Sequence, residues 1–270
     1  MALPFAKYHG AGNDFVLVDD RRGLWRASEA GERIARLCDR HVGIGADGLI
    51  YLRADADGSS GGLRMVYYNA DGAPSSFCGN GSRCFVAFAA RLGLAEPGVT
   101  FRFLANDGPH SGRLEVGGQV SVSMRIAGAV ERLTERDDRV DTGSPHFVRW
   151  SRVLPQGDIT EAAREVRYGG AYAKTGINVN YVTRLGDAAL AIRTYERGVE
   201  GETLACGTGV TAAALSYADR ERLTGRRELR VEARGGVLGV SFERSAEGLI
   251  SDVWLSGPAE HVFDGTLSDD

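Results

Sequence analysis

The sequence predicts an α+β protein of two pseudo-symmetric domains, each a mostly antiparallel β-sheet or barrel wrapped around a central helix. Three observations predict it. Cys78-Gly79-Asn80-Gly81 returns as Cys206-Gly207-Thr208-Gly209, 128 positions later (206 − 78 = 128), each time ahead of an apolar helix-like run. The flanking register returns with it. Asn69 and Arg197 each lie nine positions before their cysteine (78 − 69 and 206 − 197), at the ends of strand-like runs. Strand-like runs begin again at Phe101 and Leu229, 23 positions after it (101 − 78 and 229 − 206). Finally, short alternating segments outnumber helical ones and the connections are short. A repeat this long is no solenoid unit, whose period is about 20–50 residues, and 270 residues suit two domains of about 130 each.

Taken in order, residues 15–19 alternate as a strand after the turn-rich 10–14. A helix follows over 28–40 with Ser28 as its N-cap. The loop 41–48 carries Gly43, Gly45 and Gly48, so its backbone must bend sharply or approach something closely. It leads into a strand at 49–52, and 54–62 is a small-residue loop. After the strand 63–68, the helix at Cys78 and the strand 101–104 come short strands at 114–116 and 120–124, joined by Gly117-Gly118. The pattern ends near 127–130 and a charged stretch runs over 131–141, which places the domain boundary after 127. The second half then reads as a strand at 146–148, a helix near 159–167, a strand at 178–182 and the repeat.

Charge and composition exclude several classes. A net charge of −4 with no basic stripe gives no footprint for nucleic acid. The first ten residues lack the apolar core of a signal peptide, and no apolar run reaches about 18 residues, so a membrane span is not expected and a cytoplasmic location is. The four cysteines form neither a disulfide framework nor a zinc-ligand pattern, and no metal is expected. Cys38 and Cys84 lie on apolar sides of helical segments and read as core packing.

Cys78 and Cys206 read differently. A helix start leaves backbone N–H groups unpaired and favours negative charge, including the carboxylate of a ligand and a nearby thiolate. Two such starts brought to one domain interface would make a carboxylate pocket flanked by two thiols. A base and an acid on opposite sides of one carbon are what inversion of a stereocentre needs. A lone histidine such as His146, or an ion pair such as Glu196 and Arg197 at a strand end, is as readily structural; their place in the repeat singles them out. A disulfide switch between Cys78 and Cys206 uses the same thiols but leaves the glycines unexplained.

With these residues in view the chain resembles the diaminopimelate epimerase family over nearly its whole length. The resemblance rests on Phe5, Lys7, Gly10 and Gly12-Asn13-Asp14-Phe15; on Arg40-His41 and Gly43-Ile44-Gly45-Ala46-Asp47-Gly48; on Asn69-Ala70-Asp71-Gly72; and on Cys78-Gly79-Asn80-Gly81 with Arg83-Cys84. It continues through Gly143-Ser144-Pro145-His146, Tyr195-Glu196-Arg197-Gly198, Glu202-Thr203-Leu204-Ala205-Cys206-Gly207-Thr208-Gly209 and Gly257-Pro258-Ala259. It implies a cofactor-independent isomerase that interconverts L,L- and meso-2,6-diaminopimelate in lysine and cell-wall precursor synthesis. Cys78 and Cys206 would be its two bases. Asn13, Asn69, Asn178 and Arg197 would hold the substrate's ends, with the backbone at Gly79-Asn80 and Gly207-Thr208 on the reacting carboxylate. Glu196, also among the substrate contacts, and His146 would tune the cysteines. The resemblance further implies a homodimer, and a closing segment 257–270 that rejoins the first lobe (1–127), leaving 128–256 as the second. Many members carry Gln at the position of Gly48 and Asn at that of Ser144. The alternatives are a proline- or hydroxyproline-type racemase of the same fold and a non-catalytic thiol redox or ligand-binding protein.

Overall fold

The computed structural model describes residues 3–24, 30–55, 62–75 and 77–267. Its contacts divide the chain into a first unit, Met1–Val122 with Gly257–Asp270, and a second, Ser123–Ser256.

The first unit begins with β1 (Leu3–Gly10), β2 (Asn13–Asp19), α1 (Ala30–Cys38), β3 (Gly48–Ala54) and β4 (Leu63–Asn69). It continues with α2 (Gly79–Arg91), β5 (Phe101–Ala105), β6 (Gly108–Leu114) and β7 (Val120–Ser123). In the second unit come β8 (Glu131–Arg132), β9 (Asp137–Asp141), β10 (Pro145–Trp150), α3 (Thr160–Arg167), β11 (Asn178–Gly186) and β12 (Ala189–Glu196). They are followed by β13 (Gly201–Thr203), α4 (Gly207–Arg220), β14 (Gly225–Ala233), β15 (Gly236–Arg244) and β16 (Ile250–Gly257). The last strand, β17 (Glu260–Leu267), pairs with β1 in the first unit.

The two units share one strand grammar. In the first the order is β17-β1-β2-β3-β4-β5-β6-β7, and the pairings run antiparallel, antiparallel, parallel, antiparallel, parallel, antiparallel, antiparallel. In the second the order β8-β9-β10-β11-β12-β14-β15-β16 gives the same succession. Parallel neighbours cannot be joined by a tight hairpin and need a crossover. α1 supplies it between β2 and β3, α2 between β4 and β5, α3 between β10 and β11, and α4 between β12 and β14. The short β13, paired antiparallel on β12, is matched in the first unit by a single antiparallel bridge between Tyr68 and Pro74. The class is mixed α+β, as the sequence predicts.

α2 packs on β1, β2, β3, β4 and β6 of its own unit, and α4 on β9, β10, β11, β12, β14 and β15 of its own. That central position explains why helices of such modest amphipathicity are stable: α4 buries Gly207 and an unbroken run from Gly209 to Ala218. A helix buried all round needs small or apolar residues on every face, and Ala212-Ala213-Ala214 provide them. Separate clusters lie beneath the smaller helices, with Ile34 and Cys38 of α1 against Phe5, Val16, Leu49 and Tyr51, and Ala163 of α3 against Phe147, Ile177, Val179 and Tyr195. Burial pushes the Cys38 thiol up to about 11 and raises that of Cys84 further, so both stay protonated and inert. No described helix is long and apolar enough to cross a membrane.

Four expectations need correction or limits. The strand expected at 114–116 ends at Leu114, and a turn closed by Glu115 N–H on the Gln119 carbonyl (2.7 Å) leaves Val116 91% exposed. The charged stretch 131–141, for which no element is expected, carries strands. It forms β8 and β9, because alternate β9 residues Asp138 and Val140 point inward. The expected cap at Ser28 lies outside the described residues, as does most of the loop at 54–62.

Candidate active site

Cys78 is the N-cap of α2. Its backbone is extended (φ −135°, ψ 116°), its carbonyl takes Ser82 N–H at 2.8 Å, and its sulfur accepts Gly81 N–H at 3.5 Å. A thiol thus takes the place of the usual Ser or Asp cap. The residue before it, Phe77, stacks on His110 with ring centroids 4.1 Å apart, which fixes the entry of the chain into the helix.

Around this sulfur, side-chain amides line up in one direction. Fully buried Arg83 donates from Nη2 to Asn80 Oδ1 (2.9 Å), Asn80 Nδ2 to Asn13 Oδ1 (3.2 Å), and Asn13 Nδ2 to Asp47 Oδ2 (2.7 Å). A guanidinium can only donate and a carboxylate only accept, so both amides in between have their orientation dictated. Asn13 Oδ1 therefore faces Cys78, whose sulfur donates to it at 3.7 Å. Arg40 bridges Asp47 (2.8 Å) and Asp14 (2.7 Å), and Lys7 joins Asp14 at 2.8 Å. Burial pushes the Asp14 carboxyl up, but hydrogen bonds from Arg40 and Lys7 outweigh it and hold the group well below the usual carboxylate range.

Arg83 donates also to the carbonyls of Gly79 (3.4 Å) and Pro258 (3.3 Å), and among the described residues none of its hydrogen-bond partners is a carboxylate. Burial pushes its guanidinium down to about 10, while the Cys84 and Cys78 side chains act in the opposite sense. A buried, unneutralised cation favours a thiolate at the helix head. Cys78 is thus poised between an acceptor that suits its thiol and donors that suit its thiolate, as a reversible proton carrier requires.

Cys206 caps α4 with similar backbone angles (φ −111°, ψ 109°) and is 5% exposed. Its sulfur lies 3.3 Å from the Thr208 hydroxyl, which can rotate to donate or accept. The Thr208 carbonyl takes the Thr142 hydroxyl at 3.0 Å, tying the first turn of α4 to the end of β9. The other end of α4 is tied to the same strand. Asp138, fully buried, accepts from Arg220 (2.6 and 2.9 Å), Arg132 (2.7 Å), Ser216 and Trp150.

The expected ligand-holding residues of this unit divide into two kinds. Asn178 spends both amide hydrogens on Ser144 Oγ (2.8 Å) and the Pro145 carbonyl (3.1 Å), and its oxygen accepts Arg197 N–H at 2.8 Å. It braces the turn that bears Arg197. The exposed Arg197 guanidinium donates to the Thr175 carbonyl (2.9 Å) and, among the described residues, to no carboxylate. Glu196 ends β12 half-buried beside it. His146 is fully buried on β10, opposite Asn178 in the register, and burial pushes its imidazole down to about 3, so it is neutral. In the first unit Asn69 ends β4, and its side-chain amide makes no hydrogen bond among the described residues.

Several glycines make room for protein neighbours. Gly81 and Gly209 have ordinary backbone angles. A Cβ on Gly209 would stand 2.5 Å from Asn180 Oδ1, and one on Gly81 3.0 Å from the Ile50 methyl, so both are small to admit protein neighbours. At Gly48 a Cβ would meet the Tyr67 ring and the Tyr68 carbonyl, each at 2.6 Å, so Tyr67 fills the space a longer residue would need. The sequence gives no sign of Asp47, Arg83, Asp138 or Asn180 as supports. The first two stand out only as members of longer motifs.

A family model described as diaminopimelate epimerase matches residues 5–125 and 139–262, spanning both cysteine caps. The chain belongs to the diaminopimelate epimerase family. It is an isomerase, and the family's relatives match it end to end. A diaminopimelate epimerase of Flavobacterium psychrophilum is 40% identical over 97% of this chain and 98% of its own. One of Chlorobaculum tepidum is 39% identical over 96% and 99%. Solved structures share the fold at lower identity. A PhzF-family phenazine biosynthesis protein of Bacillus anthracis superposes with a TM-score of 0.72 at 15% identity, covering 99% of each chain. A hydroxyproline epimerase of Agrobacterium vitis gives 0.67 at 14%, over 100% of this chain and 93% of its own.

Proposed function

We propose that this family member converts L,L-2,6-diaminopimelate to the meso form without a cofactor, with Cys78 and Cys206 acting on the same α-carbon. The observation that supports it best is the equivalence of the two caps. In each unit a cysteine ends its strand-to-helix turn with a thiol at a helix start, at the same place in the same strand order. In the forward step a thiolate takes the α-hydrogen as a proton and the electron pair stays on carbon. The opposite thiol then delivers its own proton to the other face, leaving the enzyme with the charges exchanged. The macroscopic ionisations belong to the pair, not to either thiol.

Without an electron sink, the carbanion is stabilised by fixed dipoles. The backbone N–H groups at Gly79-Asn80 and Gly207-Thr208 serve the reacting carboxylate, with Asn13, Asn80 and Glu196 around it. Asn69 and Arg197 receive the distal amino-acid head group, and Asn178 and Ser144 hold Arg197 in place. A guanidinium with no carboxylate partner and an amide with no hydrogen bond among the described residues favour a substrate with two zwitterionic ends over a single-ended amino acid such as proline. We infer further that the protein works in lysine and cell-wall precursor synthesis, in the cytoplasm, as a homodimer; these readings rest on the family resemblance.

The test is deuterium uptake. Incubated in D2O with L,L-diaminopimelate and no cofactor, the protein is expected to place deuterium at Cα as the meso form appears. Exchange into proline with none into diaminopimelate would overturn the reading.

A further inference from the structure

One buried imidazole in the second unit has its tautomer dictated by its neighbours. Asn180 lies on β11 with no exposed surface. Its Nδ2 donates to the Phe147 carbonyl at 3.0 Å, and its Oδ1 accepts the Thr194 hydroxyl at 3.0 Å. A carbonyl accepts and never donates, so nitrogen, not oxygen, must face Phe147. The second hydrogen on Nδ2 then falls to His146 Nδ1, 3.1 Å away. A ring nitrogen that receives an N–H carries no hydrogen itself, and in a neutral imidazole the proton must sit on the other one.

That other nitrogen is the unusual feature. His146 Nε2 is buried and has no hydrogen-bond partner among the described residues. Native interiors rarely leave a donor unmet, because its lost hydration is not returned. Its partner Asn180 ties it to the head of α4. Asn180 Oδ1 and Cys206 Cβ stand 2.5 and 3.4 Å from the point a Cβ on Gly209 would occupy. Charging the ring is opposed twice over. It would set an Nδ1 hydrogen against the Asn180 amide hydrogens, and both burial and the Arg197 guanidinium disfavour a cation there.

We propose that Asn180 is a positioning residue that fixes His146 as the neutral Nε2–H tautomer, making it a hydrogen-bond donor to the carboxylate of an amino acid bound at the head of α4. His146 on this view never carries a proton between cysteine and solvent. The tautomer stands on this unit's geometry alone; the identity of the carboxylate rests on the epimerase reading above.

The experiment is long-range 1H–15N spectroscopy of the full chain labelled at histidine nitrogen. His146 is assigned from His146→Gln or, should that variant not fold, by elimination through Gln substitutions at His9, His41, His110 and His261. The free protein is expected to show His146 protonated at Nε2 alone, unchanged from pH 6 to pH 9. An Nδ1–H tautomer or a titrating ring overturns the lock. Asn180→Asp, which offers Nδ1 an acceptor, is expected to move the proton to Nδ1 or charge the ring. It should also add an ionisation to the kcat/KM profile between pH 5 and 8 that a packing defect would not create. Adding meso-diaminopimelate should shift the Nε2–H signal of the wild type downfield. Turnover with no such shift overturns the donor role. Absence of turnover beside an intact Nε2–H signal overturns the epimerase reading and leaves the lock standing.

Discussion

Asn13 meets Cys78 with its amide oxygen, 3.7 Å from the sulfur, because Asp47 holds the nitrogen of the same amide at 2.7 Å. The thiol form of Cys78 therefore has a fixed acceptor, opposed by the Gly81 N–H and the buried charge of Arg83. Asn13→Ala removes the acceptor and leaves the opposing groups. Alkylation of Cys78 by iodoacetamide, mapped by mass spectrometry, should reach half its limiting rate at a pH lower by about 0.5–1 unit, the scale of one neutral hydrogen bond. A midpoint that stays or rises would contradict this account of the site.

Cys78→Ala and Cys206→Ala should each reduce epimerisation by at least about 10²–10⁴-fold, the usual contribution of a positioned acid or base. Far-ultraviolet circular dichroism should show both variants folded. Full activity in either variant would end the two-base mechanism.

Gly209→Ala should cost more than Gly81→Ala. The first Cβ would press on Asn180 Oδ1, which is held by Thr194, whereas the second meets the movable tip of Ile50. Overpacking of this kind costs about 1–3 kcal/mol, so urea denaturation should place Gly209→Ala in that range and Gly81→Ala below it. The reverse order would show that the two helix heads are not supported as described.

Asp138→Ala would leave half-buried Arg220 without its carboxylate and release Ser216 and Trp150. Breaking a buried pair costs about 3–5 kcal/mol, read as a fall in the denaturation midpoint. A loss below about 1 kcal/mol would mean the cluster is not what ties α4 to β9.

Glu200 accepts from Gly198 N–H (3.2 Å), Arg167 (2.8 Å) and Tyr168 (2.8 Å), closing the turn that presents Arg197. Burial raises its carboxyl, but those hydrogen bonds prevail and lower it from 4.5 to about 2. A group whose folded value is depressed stabilises the fold above its unfolded value and loses that effect as pH falls toward the folded one. The Tm difference between the wild type and Glu200→Gln should hold steady above pH 5 and shrink between about pH 4.5 and 2. A difference that grows on acidification would reverse the sign and refute the assignment.

The sequence made the two helix heads readable because they depend on local chemistry. A thiol ahead of Gly-x-Gly and an apolar run signals a helix start wherever it lies, and its return in register exposed the doubled architecture. The supports were not readable. Asp47 and Asn13, or Asn180 and His146, meet only after strands pair, and no short-range spacing encodes that. β11 is buried along its first six residues, so Asn180 breaks no alternation that would mark it. Asp138 sits in a run of charges indistinguishable by composition from a solvated linker. Its buried carboxylate becomes visible only once β9 is seen to turn alternate residues inward.

Because the sulfur of Cys78 also closes the first turn of α2, its reactivity and the integrity of that helix cannot be altered separately. A ligand that bonds to this thiol would withdraw the cap from Gly81 N–H as it blocked the sulfur. Occupancy should therefore register as a change in melting behaviour and in amide exchange at the start of α2. Cys206 makes no such cap bond, so the same reagent on it should leave amide exchange at the start of α4 nearly unmoved. Covalent ligands for this enzyme could thus be sorted by which cysteine they occupy with no assay of catalysis at all.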